Sequence, residues 1–226
     1  MRPCWLIAIL ACAAFAQDFD TYYVIFLRPD PARQTIAQEE SQKIQAAHMA
    51  NIGKMAADGV LKAAGPFADE NRAILGVFVM KAASLAEAKR MAEQDPTVTN
   101  HRNIVDAHTW LGPKGIGEEY AKLHREKPDT PENMGVHPLV ILTRGPAWDA
   151  SKMGAHRDFV VRMKTDGKLA AAGPVTGEDT IAGFLVFKRI PLADAEALVK
   201  TDPTIAAGVL RAEFHKWYSA DHVLPW

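Results

Sequence analysis

The chain has 226 residues, 48% of them hydrophobic and 8% aromatic, with a formal charge of -1. That composition suits an ordinary globular protein long enough for one large or two small domains. The near-zero charge removes the electrostatic case for nucleic acid or an anionic membrane surface as a partner.

Residues 1–16 read as a secretory signal peptide. Arg2 supplies the positive end, Trp5 to Ala14 the apolar run, and Ala14-Phe15-Ala16 a small-x-small cleavage signal before Gln17. The run falls short of the roughly 20 apolar residues needed to cross a bilayer, so no membrane span is expected. Lipidation at Cys12 is the alternative. Both cysteines, Cys4 and Cys12, lie in this segment. An exported chain, periplasmic or extracellular, would then carry no thiol, disulfide or Cys metal ligand.

The next stretch predicts a strand from Tyr22 to Leu27, ended by Arg28-Pro29-Asp30-Pro31. An amphipathic helix from Gln38 to Ala57 follows and stops at Asp58-Gly59. Val60 to Ala64 and Ile74 to Met80 read as a hairpin, with Gly65-Pro66 opening its turn. Ser84, with Glu87 three residues on, caps a second helix that runs to about Gln94 and halts at Asp95-Pro96. A last strand spans Ile104 to Trp110, giving the order β-α-β-β-α-β over residues 21–110. Residues 111–135 read as a linker with a short helix around Glu118 to His124.

Residues 136–218 then repeat the pattern. Leu139 to Thr143 is a strand and Ser151 to Thr165 a helix. Leu169 to Ala172 pairs with Phe184 to Phe187, Leu192 to Lys200 is a helix, and Leu210 to Trp217 is the final strand. Residues 219–226 form a tail. His48 and His156 are each followed after sixteen residues by Gly-Pro, at Gly65-Pro66 and Gly173-Pro174. Asp95-Pro96-Thr97 is matched by Asp202-Pro203-Thr204, and His108-Thr109-Trp110 by His215-Lys216-Trp217. The offset is 108 early in the unit and 107 later. A repeat of about ninety residues is a domain-sized module rather than a solenoid turn.

The expected fold is therefore α+β: two tandem ferredoxin-like (βαββαβ) modules packed sheet to sheet as a pseudo-dimeric α+β barrel. In each module the end of the second helix returns near the start of the first. This brings His48 toward Asp95 and His156 toward Asp202, a carboxylate-oriented imidazole being the smallest useful acid/base unit. The bland reading is a satisfied helix histidine beside an Asp-Pro stop signal. His108, Trp110, His215 and Trp217 alternate onto one strand face, either lining a pocket or packing the barrel. No metal-ligand spacing, Gly-rich phosphate loop or nucleophile elbow is visible, and no cofactor is called for.

The His-x16-Gly-Pro spacing, the helix ending in Asp-Pro, and Ala206-Ala207-Gly208-Val209 resemble the YCII-related (YciI-like) family of small dimeric α+β barrels. The resemblance runs over each module and is better in the second. It implies His48 with Asp95 and His156 with Asp202 as catalytic pairs. Where the second module has Ala207-Gly208 the first has Asn100-His101. A bulky residue there would crowd the backbone, so the second site is expected to be the working one. The leading expectation is a cofactor-independent lyase or isomerase acting on a small organic molecule. The alternatives are a non-catalytic small-ligand or protein-binding module, and a haem-linked barrel. Pairing of whole chains as a homodimer is compatible with all three.

Overall fold

The computed structural model describes residues 18–177 and 180–226; the expected signal peptide, with Cys4 and Cys12, lies outside the described residues. The first half runs β1 (Phe19–Pro29), α1 (Gln38–Ala57), β2 (Leu61–Pro66), β3 (Gly76–Met80), α2 (Leu85–Ala92), α3 (Pro96–Thr99) and β4 (Asn103–Pro113). After α4 (Glu118–Glu126), the second half runs β5 (Gly135–Arg144), a 3-10 turn (Ala150–Lys152), α5 (Met153–Thr165), β6 (Leu169–Thr176) and β7 (Ile181–Phe187). It ends with α6 (Leu192–Val199), α7 (Pro203–Ala206) and β8 (Leu210–Ser219).

The eight strands form one antiparallel sheet in the order β2-β3-β1-β4-β6-β7-β5-β8. The two halves join where β4 meets β6, at Thr109↔Thr176 and Trp110↔Val175. At the other edge Phe67 bridges Trp217, and Ala68 N donates to Lys216 O at 2.9 Å. The sheet thus returns on itself, leaving little open edge.

Alternation along the strands sorts the apolar residues into three cores. Tyr22, Val24 and Phe26 of β1 face Leu139, Ile141 and Phe184 from the second half in the central one. Phe26 and Phe184 meet edge to face at 5.6 Å there. The opposite sides of the same strands bury Ile25, Phe78 and Met80 under α1 and α2, and Val140, Leu142 and Leu185 under α5 and α6. Among the described residues, no helix is long and apolar enough to cross a membrane.

Three local expectations change. Asp95 and Asp202 do not merely stop a helix. Each N-caps a further turn, α3 or α7, its carboxylate accepting from Thr97 N or Thr204 N, with proline in the first helical turn. Asp-Pro is a start signal as well as a stop, because proline's missing N–H is no loss there. Gly65-Pro66 and Gly173-Pro174 lie inside β2 and β6 rather than at turns. The second-half helix begins at Met153, after the 3-10 turn capped by Asp149, not at Ser151.

Candidate functional site

α1 carries His48 and the N-cap of α3 carries Asp95, and the packing of the two helices brings them together. His48 Nδ1 lies 2.9 Å from both carboxylate oxygens of Asp95. An ionised carboxylate only accepts, so Nδ1–H donates and Nε2 is left for other work. Asp95 is 0% exposed and the His48 side chain 13%. Asn51 Nδ2 donates to Asp95 Oδ2 at 2.9 Å, and Thr97 donates from N and Oγ1 to Oδ1 at 2.9 and 2.6 Å. Asn103 Nδ2 donates to Thr97 Oγ1 at 2.9 Å, extending the chain. Burial pushes the Asp95 carboxyl up, but hydrogen bonds from His48, Thr97 and Asn51 outweigh it and hold the pKa below the usual value. The imidazole stacks on Phe78, centroids 6.0 Å apart.

The second pair is simpler. His156 Nδ1 donates to Asp202 Oδ2 at 2.6 Å, and Thr204 donates twice to Oδ1 at 2.9 and 2.7 Å. Here too burial raises the Asp202 pKa, and His156 and Thr204 together bring it below normal. At the matching offsets, Asn51 becomes Phe159 and Asn103 becomes Leu210. Phe159 now supplies the ring under the imidazole, at 6.3 Å. The first pair is embedded in a polar network and the second in an apolar one.

The surroundings differ more. A cleft of about 950 Å³ opens beside His48, bounded by α1, β2 and α4. It includes Thr97 and Asn103, and it exposes Met49 (54%) and Met134 (45%). Its size is at the upper end of the roughly 300–1,000 Å³ that ligand sites occupy. Ala56 and Lys62 line it, and the residues 108 further on are Lys164 and Ala170. There Trp226 packs: its backbone N–H donates to Ala170 O at 3.2 Å, and Lys164 Nζ stands 4.1 Å from its ring centroid. Trp226 also packs on the core under α5. The open cleft therefore belongs to His48, the pair expected to be altered or silent.

Asn100-His101 does not have the effect expected of it. A Cβ at Gly208 would meet nothing within 4 Å, so that glycine makes no room. It serves a left-handed turn, φ 67°, which His101 adopts at φ 51° with its side chain in solvent. Nothing in the first site is crowded by it.

His108, Trp110, His215 and Trp217 are buried, and none of them lines the cleft. Trp110 and Trp217 border a void of about 20 Å³ in the central core, room for about one water. Packing is the reading that holds for them, because the alternating face they share is the one both halves bury. His108 sits between Phe26 and Phe184 and contacts Asp106 at 3.0 Å. That contact first, then Arg28, brings the Asp106 pKa to about 2 against its burial. His215 Nδ1 donates to Asp69 Oδ2 at 2.6 Å, tying the loop after β2 to the second half. Asp69 was not foreseen, and neither were Asn51 and Asn103. Among the described residues no three His, Cys, Asp or Glu side chains gather as a metal set.

Residues 21–107 match the YCII-related domain, so the match falls on the half with the open cleft. No curated protein matches the chain in sequence. Its fold is similar to a crystal structure of a candidate chlorite dismutase, with a TM-score of 0.59 at 7% identity over 90% of this chain and 96% of that one. It is also similar to a heme-binding protein from Thermus thermophilus, with a TM-score of 0.54 at 12% identity over 91% and 92%. A third likeness is to a candidate monooxygenase from Lactobacillus acidophilus NCFM, with a TM-score of 0.52 at 12% identity over 88% and 93%. These likenesses are of fold: an α+β, ferredoxin-like architecture of the chlorite dismutase kind.

Proposed function

We propose that the cleft beside His48 is a small-molecule site in which His48 acts as general acid/base, oriented by Asp95, in a lyase or isomerase reaction that needs no cofactor. One observation carries the reading: Nδ1 is bound to a fully buried carboxylate while the same ring borders a cleft of about 950 Å³. Asp95 fixes the tautomer and supports the imidazolium, and Nε2 exchanges the proton. The second pair, stacked on Phe159 over the core on which Trp226 also packs, becomes a structural relic of the same arrangement.

The test is turnover of small cyclic and carbonyl compounds by wild type, His48→Asn and His156→Asn. Asparagine can still donate to the aspartate, so melting temperatures should stay within a few degrees. His48→Asn should lose about 10²–10⁴-fold of the rate and His156→Asn almost none. Equal rates in wild type and His48→Asn would remove the acid/base role, and binding without turnover would favour a non-catalytic module.

Haem is a second reading, favoured by the same ring. A histidine whose Nδ1 is held by a carboxylate is the usual form of a metal-binding imidazole. His48 would hold the haem through Nε2, and bound haem would supply redox chemistry. The central core has no such room, so the cleft is the place for it. A shifted and sharpened Soret band on haemin addition that His48→Ala abolishes would establish this reading; a spectrum identical to free haemin would remove it.

We also propose that the chain is a tandem duplication of one ferredoxin-like unit, exported after cleavage before Gln17. The repeated strand order within each half and the matched His-Asp pairs support duplication. The small-x-small signal supports export, and a mature protein that still begins at Met1 would refute it.

A further inference from the structure

The cleft is unevenly charged. Arg33, Lys62, Arg72, Arg102 and Arg125 line it against a single acid, Glu132, which already accepts from the Tyr120 hydroxyl at 2.9 Å. Three of the cations come from separate segments: Arg33 from the loop before α1, Arg72 from the β2–β3 connection, and Arg102 from the turn before β4. They gather closely enough to affect one another. The Arg33 guanidinium is pushed below its usual range, by burial first and then by the charges of Arg102 and Arg72. Among the described residues none of the three is paired with a carboxylate. Like charges held together without a counterion are unfavourable, and an incoming anion relieves them.

The scaffold holds the side chain of Arg102 and the backbone of Arg72 in place. Arg102 N donates to Thr97 O at 2.8 Å, and its Nη1 donates to Gln34 O. Arg72 N donates to Asp69 O at 3.3 Å, in the loop that Asp69 anchors to His215 and to Lys216 N. Asn103 supplies a second, independent sign of a ligand. It is 6% exposed, its Nδ2 is committed to Thr97, and its Oδ1 is buried with no hydrogen-bond partner. A buried acceptor left unsatisfied is costly, and the residue that carries it lines the cleft. The second half lacks the set, with Val209 and Leu210 at the places of Arg102 and Asn103.

We propose that the His48 cleft binds a carboxylate through Arg33, Arg72 and Arg102, so that its ligand is an organic acid carrying a hydroxyl or similar donor for Asn103 Oδ1. The proposal rests on the reading of the cleft as a ligand site, and it holds whether that ligand is turned over or not. Guanidinium is the suited group, since its planar donors match a carboxylate. The hydrogen-bonded chain from Asn103 through Thr97 to Asp95 places the donor end of such an acid toward His48.

Calorimetry with 3-hydroxybenzoate, benzoate and neutral 3-hydroxybenzyl alcohol tests this in the full chain. The hydroxy acid should bind best, and the alcohol at least about tenfold more weakly. Arg33→Gln with Arg72→Gln, both exposed at the mouth, should weaken the acids about tenfold and leave the alcohol unchanged. Asn103→Leu, which borrows the second half's residue, should erase the advantage of the hydroxy acid over benzoate. Haemin whose affinity falls in the arginine variant would identify the carboxylates as haem propionates and support the subsite. Equal binding of acid and alcohol, or acid and haemin affinities untouched by the arginine changes, would overturn it. A His48→Asn protein that binds 3-hydroxybenzoate normally and loses no turnover would remove the acid/base reading alone.

Discussion

Asp95→Ala should destabilise the protein by about 3–5 kcal/mol, the range for breaking a buried charged network by removing one partner. The carboxylate is fully buried and accepts from His48, Asn51 and Thr97 at once, besides capping α3. Alanine strands all of these donors and removes the cap. Asp202→Ala should cost less, because Phe159 stands where Asn51 would be and fewer donors are orphaned. Asp95→Asn separates charge from shape, since asparagine is also a good N-cap. The native carboxyl has a depressed pKa, so its stabilisation is complete above the unfolded carboxylate value of about 4 and is lost as pH falls through the lower folded value. The stability gap between wild type and Asp95→Asn should therefore shrink progressively below about pH 4. Urea melts from pH 7 to 2 measure it; a gap that stays constant over that range would mean the charge on Asp95 contributes nothing.

What the sequence made legible was local. The His-Asp pairing followed from the direction each helix must run, and both pairs formed within hydrogen-bond reach. The strand and helix order followed from apolar period and from stop signals such as Asp58-Gly59. What stayed hidden depended on how the elements pack together. Gly65-Pro66 looks like a turn because glycine and proline are turn residues, and nothing nearby says that Tyr218 passes over it. Asn51 and Asn103 are ordinary polar residues until the fold joins one to Asp95, 44 residues away, and the other to Thr97, 6 residues away, in one network. The two imidazoles swap their supporting ring, Phe78 from the sheet for one and Phe159 from its own helix for the other. A comparison of aligned positions pointed to Gly208 as the informative difference, whereas the packing differs at Trp226, which lies against Lys164 and Ala170 in the second half. Asymmetry between the halves was foreseen; its direction was not, because it is set by what packs into each space.

Gly173→Ala tests how the two halves are joined. A Cβ at Gly173 would lie 1.9 Å from Leu111 O, and one at Gly65 1.7 Å from Tyr218 O. A backbone oxygen cannot turn aside as a side chain can, so the strands themselves must separate. The change should cost about 3 kcal/mol or more, at or above the upper end for overpacking. At the first seam it also disturbs the bond from Trp110 Nε1 to Gly173 O, 3.1 Å long. At the second seam Trp217 Nε1 is buried without a hydrogen-bond partner, and the strands share one bridge rather than a ladder. That edge has less to lose, so Gly65→Ala should be tolerated better despite the shorter approach. Gly53, within α1 with nothing inside 4 Å, provides the control. Alanine there should stabilise by about 0.5–1 kcal/mol, since glycine weakens a helix interior. If denaturant melts place Gly173→Ala within experimental error of Gly53→Ala, the halves do not meet at this glycine. The expected order instead makes the Gly-Pro dipeptide the point of contact between halves, and in the first half Gly65 and Pro66 line the His48 cleft as well.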